Sequence, residues 1–243
     1  MFGFSAFPIE EDARPKHLIV NGNGASSLSY LATLREAAEP TVDRIMQSIR
    51  NELGLLCEKS RKSDASADQK ARRPTILARS PWHGIPHLRD YLRFRTHLND
   101  PADVERVCDV FVEYIQSGDI SLVKLDYAKM LRPGPFGWRM IAIDLRDTRT
   151  GLIVEHYMSF QDLIVANEDW LHAIYERWRR WDPEDMTGRD RQAMERDQRL
   201  SAHGYKGLLI DRLAMERIGD TILRHRQGLT DAALLMTLER MVS

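Results

Sequence analysis

Residues 137–160, GWRMIAIDLRDTRTGLIVEHYMSF, constrain this chain more than any other stretch. Two β-rich runs with apolar residues at alternate positions flank the polar turn Asp147-Thr148-Arg149-Thr150 and Gly151, which predicts a β-hairpin. A loop of about four residues places Arg146 opposite Gly151. It then sets Ala142 opposite Glu155, Met140 opposite Tyr157 and Trp138 opposite Ser159. Ile141, Ile143, Leu145, Leu152 and Val154 fall on the other face and read as core. Glu155 is thus expected on a solvent-reachable sheet surface beside an aromatic, with the core behind it. A slip of a single residue would exchange the two faces.

A chain of 243 residues is one large domain or one domain with appendages, long enough to bury a real core. The formal net charge of −1 gives no global attraction to nucleic acid or anionic lipid. Cys57 and Cys108 match neither a metal spacing nor a disulfide framework, so a reducing, cytoplasmic setting is expected. No apolar run is long enough for a transmembrane span, and the first residues do not read as a signal peptide.

Along the chain, residues 1–26 end in the turn-rich NGNGASS, and Ser26 or Ser27 caps a helix from Leu28. Pro40 either breaks that helix or begins a second, whose stripe is Val42, Ile45, Ile49, Leu53 and Leu56. The polar segment EKSRKSDASADQKARRP reads as a linker or loop. Residues 87–98 read as a strand carrying Asp90. Asp100, Pro101 and Asp103 start a helix with apolar Val104, Val107, Cys108, Phe111, Tyr114 and Ile115, ended by Gly118. A strand over 120–127, a Pro/Gly loop and the hairpin follow. A helix over 161–181 then buries Leu163, Ile164, Ala166, Trp170, Leu171, Ile174, Tyr175 and Trp178. A charged stretch over 184–203 forms an exposed helix, and two helices near 206–226 and after Thr230 pack on the domain or on a partner copy. The order predicts an α+β fold with a small mixed sheet: an N-terminal segment over 1–63, a core over 64–182 and a helical extension over 183–243.

Asp90 and Glu155 stand out as acids on two strands. If those strands are neighbours, the pair can share a divalent ion, and Mg²⁺ prefers a couple of carboxylates with substrate phosphates.

The order and spacing of the motifs over residues 90–177 resemble the synthetase domain of the RelA/SpoT family, the (p)ppGpp (alarmone) synthetases of the stringent response. Asp90-Tyr91-Leu92-Arg93-Phe94-Arg95 is similar to the family's strand with a metal-binding Asp and an Arg five positions on. Asp126-Tyr127, a basic Pro/Gly loop and Gly137-Trp138 resemble its Lys-Asp-Tyr, loop and Gly-Tyr. Glu155 stands where the family has Glu-hydrophobic-Gln, and His172 and Tyr175 lie on the next helix as in its compact members. The resemblance implies a nucleotidyltransferase-like fold and a stand-alone or toxin-like pyrophosphokinase that uses Mg²⁺. Such an enzyme moves pyrophosphate from ATP to the 3′-hydroxyl of a purine nucleotide or a tRNA 3′ end. It implies that Asp90 and Glu155 hold the metal, that Glu155 activates the hydroxyl, and that Trp138, Arg95, Arg132 and His172 bind the acceptor.

The departures concern mainly the donor side. The family's Arg-x-Lys and further Lys upstream of the metal Asp are matched only loosely, by Lys70, Arg72, Arg73 and Arg79. Among these, Arg79, Arg72 and Arg73 are the expected donor-binding residues. Ala142 stands for a family His, and His156-Tyr157 for the hydrophobic-Gln pair. A catalytically degenerate nucleotide-binding or interaction module of the same fold is the alternative.

Overall fold

Alternating apolar residues drive a five-stranded mixed sheet in the computed structural model, which describes residues 28–78, 81, 83–126, 128–131, 133–179, 181 and 184–206. The strands are β1 (Cys57–Arg61), β2 (Leu92–Leu98), β3 (Ile120–Asp126), β4 (Ile141–Asp147) and β5 (Ile153–Phe160), in the order β1-β2-β5-β4-β3. Only β2 and β5 run parallel; the other neighbours are antiparallel. The helices are α1 (Leu28–Leu53), α2 (Asp64–Ala71), α3 (Pro74–Leu77), α4 (Asp103–Gln116), α5 (Ala128–Leu131), α6 (Gln161–Ala166), α7 (His172–Trp178) and α8 (Gly188–Lys206). A π-turn, Asn167–Leu171, joins α6 to α7. Helices expected beyond residue 206 lie outside the described residues.

The hairpin forms with a different register. Ala142 faces Tyr157 and Asp144 faces Glu155, a shift of two residues from the expected pairing. The turn closes later, at Asp147–Leu152, because Gly151 takes a positive φ of 74° and Asp147 caps Thr150 through its backbone and hydroxyl. An even shift preserves the faces. Ile141, Ile143, Leu145, Leu152 and Val154 are buried as expected, joined by Phe94, Phe111 and His156 beneath α1 and α4.

Other expectations are corrected. Asp90 lies in the turn before β2, not within the strand, which begins at Leu92. The polar segment read as a linker holds β1 and α2. β1 is a charged edge strand whose alternation serves ion pairs: Lys59 reaches Asp43 at 2.6 Å on the α1 side, and Glu58 reaches Arg95 on the other. Pro40 neither breaks α1 nor begins a new helix; the helix runs through it. The π-turn interrupts the 161–178 segment with one wider turn, and Trp170 within it is 44% exposed where a buried position was expected. On α7, Ile174 and Trp178 are buried as expected, whereas Tyr175 is exposed.

Candidate functional site

The face of the sheet opposite α1 and α4 carries charge. Parallel pairing sets Arg93 beside Glu155 and Arg95 beside Tyr157, while antiparallel pairing sets Asp144 on Glu155's other side. Asp90 approaches from the turn that leads into β2. Asp90 and Asp144 are therefore both within electrostatic reach of Glu155, and each of the three acids is balanced differently. Asp90 is 6% exposed, and its Oδ2 receives Lys70 at 2.8 Å and Lys62 at 3.0 Å. Burial alone would raise its pKa, but the two ammonium groups outweigh burial and hold it below the usual carboxylate range. Asp144 is equally buried; desolvation raises its pKa although Arg89 pairs with it. Glu155 is half-buried, and its pKa is raised by desolvation and by the negative charges of Asp90 and Asp144.

These residues suit Mg²⁺. Asp90 Oδ1 is buried without a hydrogen-bond partner, and Glu155 lacks enough positive charge to balance its neighbours. Among the described residues no three His, Cys, Asp or Glu side chains are grouped closely enough to hold an ion alone. Two carboxylates completed by phosphate oxygens match the preference of Mg²⁺ for a partial protein shell.

Glu155 also lies in the wall of a cleft of about 570 Å³. One side of the cleft is aromatic. Trp138 packs edge-on against Tyr157 at 6.4 Å and tilts over Tyr205 at 5.8 Å, and Phe136 meets Tyr175 at 5.6 Å. Arg93, Arg95 and Lys129 supply the cations. Arg95 is already engaged by Glu58 at 2.5 Å, by Tyr157 at 3.4 Å and by Glu168 from the π-turn. Burial would lower its pKa, but these partners outweigh it and keep the guanidinium charged. His172 pairs with Glu176 at 3.1 Å at the cleft margin.

The fold therefore gathers Glu155, Trp138, Arg95 and His172 around one cleft and sets Asp90 within electrostatic reach of Glu155. Arg72 points elsewhere, to Asp68 at 2.9 Å, and Arg73 precedes α3. Arg79 and Arg132 lie outside the described residues. Lys62 and Lys70, spaced along the segment read as a linker, are the cations that reach Asp90. Sequence reasoning also missed Asp144, which the two-residue register shift brings to Glu155, and the cleft residues Tyr157, Asn167 and Tyr205. Tyr205 comes from α8, the charged helix expected to be merely exposed. α8 docks because Gly137 leaves room for the backbone of Ala202 and because Ser201 Oγ donates to the Phe136 carbonyl at 2.7 Å.

No known family model matches the sequence. No curated protein matches it either. Solved structures do. Small alarmone synthetase 1 from Bacillus subtilis, bound to its product pppGpp, superposes with a TM-score of 0.51 at 16% identity, over 74% of this chain and 93% of that one. The Type VI effector Tas1, solved with its immunity protein, superposes with a TM-score of 0.50 at 16% identity, over 73% of this chain and 94% of that one. The mixed five-stranded sheet with its flanking helices is similar to the fold of these synthetases, as the order of the motifs anticipated.

Proposed function

We propose that this chain is a pyrophosphokinase that moves the β,γ-pyrophosphate of ATP onto the 3′-hydroxyl of a purine nucleotide. The placement of Glu155 carries this reading. It is a carboxylate of raised proton affinity in the wall of an aromatic cleft, within electrostatic reach of Asp90 and Lys70. A base stacks on Trp138, which every base can do through its π-face. Arg93, Arg95 and Lys129 receive the acceptor's phosphates, with Glu168 yielding Arg95 to them. Glu155 takes the proton of the 3′-hydroxyl. The hydroxyl oxygen bonds to the β-phosphorus, the bond from that phosphorus to the α-phosphate oxygen breaks, and AMP leaves. Lys62 and Lys70 supply positive charge to the donor phosphates. Asp90 and Glu155 would hold Mg²⁺, which when bound neutralises charge on the transferred group.

The test is release of AMP from ATP with Mg²⁺ and, in turn, GDP, GTP, ADP or tRNA. Product with a free nucleotide supports the reading, and product with tRNA alone moves the acceptor to a nucleic-acid 3′ end. No AMP with any acceptor refutes it. One observation favours a binding module instead: both lysines are committed to Asp90 in this structure. Calorimetry that finds nucleotide binding without Mg²⁺-dependent turnover selects that alternative.

A further inference from the structure

Two glutamates share one arginine at the cleft. Antiparallel pairing sets Glu58 of β1 directly opposite Arg95 of β2, which brings their Cβ atoms within about 5 Å. Glu58 Oε2 accepts from Arg95 Nε at 2.5 Å and meets His97 Nε2 at 2.7 Å. His97 is buried, and its Nδ1 pairs with Gln161 at the start of α6. The bond from Arg95 holds the Glu58 carboxyl below the usual carboxylate range, so it remains an anion. Arg95, Tyr157 and Glu168 line the cleft, whereas Glu58 and His97 do not. The Arg95 guanidinium therefore has two ends. Glu58 holds its Nε from behind, and its Nη1 and Nη2 face Tyr157 and Glu168 within the cleft. Glu168 is exposed on the π-turn, and its carboxylate has no other ionic or hydrogen-bond partner among the described residues.

We propose that the two glutamates have opposite roles: Glu58, with His97 behind it, is a positioning residue that aims Arg95 into the cleft, and Glu168 is a built-in competitor whose place on Arg95 an acceptor phosphate takes. The proposal rests on the reading that the cleft takes a phosphate-bearing nucleotide. A guanidinium carries its N–H donors in a rigid planar fork. Holding Nε fixes the plane of that fork and leaves the Nη edge for parallel bonds to phosphate oxygens. Glu168 meets this edge with a carboxylate, which matches a phosphate in charge sign and in acceptor atoms. Its exposed ion pair is weak and yields to a diphosphate of higher charge. If both glutamates acted only through their charge, removing either would favour an arriving anion. The proposed roles require opposite signs.

Calorimetry of GDP and guanosine on the full chain tests this. Glu168→Gln should bind GDP about two- to fivefold more tightly than wild type. Glu58→Ala should bind it roughly tenfold more weakly, although it too removes a negative charge. Glu58→Gln removes the same charge but keeps an acceptor for Arg95 Nε, and should recover most of that loss. Guanosine offers Arg95 no phosphate, so it should bind wild type and every variant alike, which also shows that the variants are folded. GDP bound no more tightly by Glu168→Gln, GDP bound more tightly by Glu58→Ala, or Glu58→Gln as weak as Glu58→Ala overturns the proposal while leaving the nucleotide reading intact. A guanosine affinity that falls in step with that of GDP does the same. Failure of wild type to bind either ligand overturns both.

Discussion

Replacing Gly137 with alanine should separate α8 from the cleft. Gly137 has φ +83°, and a Cβ there would meet the Ala202 backbone at 2.7 Å and the Tyr205 ring at 3.0 Å. An L-residue in the left-handed region costs roughly 1–2 kcal/mol, and forcing an atom into packed backbone adds about 1–3 kcal/mol. The alanine recovers about 0.4–1 kcal/mol by restricting the unfolded chain. The net loss is therefore about 1–5 kcal/mol, and at about 2–4 °C per kcal/mol for a chain of this size a central value near ~3 kcal/mol lowers Tm by roughly 6–12 °C. Gly134 is the matched control in the same turn: it accepts the Gly137 N–H bond through its carbonyl, has no atom within 4 Å of an added Cβ, and has no positive φ. Urea melts of both variants should show Gly134→Ala within about 0.5 kcal/mol of wild type and Gly137→Ala well below it. Nucleotide affinity should also fall in Gly137→Ala alone, since the displaced Tyr205 carries Trp138 with it. Equal stabilities for the two variants would refute the seating of α8 on this loop.

Glu155→Gln should lower turnover by roughly 10²-fold or more and raise stability at neutral pH, because it removes a charge that Asp90 and Asp144 oppose. A raised folded pKa means that wild type gains stability as pH falls through it, so the advantage of the variant should vanish below the unfolded value of 4.5; urea melts across pH that show a constant difference would contradict this. Lys70→Met should cost about 1–3 kcal/mol at neutral pH by leaving Asp90 with Lys62 alone. Because the folded pKa of Asp90 is depressed, the loss should disappear in acid as pH falls through it, and Asp90→Asn in the same chain should restore most of it. His156 is fully buried with its pKa lowered by desolvation from 6.5 to about 3. Between those values only the unfolded chain takes the proton, so stability should fall as pH drops, by up to about 1.4 kcal/mol per pH unit. His156→Phe should flatten that slope in urea melts, and an unchanged slope would exonerate His156.

Periodicity made the hairpin, the α4 helix and the burial of their apolar faces legible, because a two-residue or 3.6-residue repeat is a local property. The order of short motifs anticipated the fold, and in that fold Glu155, Trp138, Arg95 and His172 line one cleft. Register was not legible: Gly151 and the Asp147 cap moved the turn along the chain, and only that shift brings Asp144 to Glu155. β1 hid because an edge strand is stabilised by partners on α1 and β2, and its own Glu58, Lys59 and Arg61 read as solvated charge. Asp90's lysines and the hydrogen-bonded Asn167–Tyr205 pair come from separate elements, the latter 38 residues apart. Such contacts depend on how helices dock on the sheet, and a sequence pattern carries the faces of each element but not the distance between two of them.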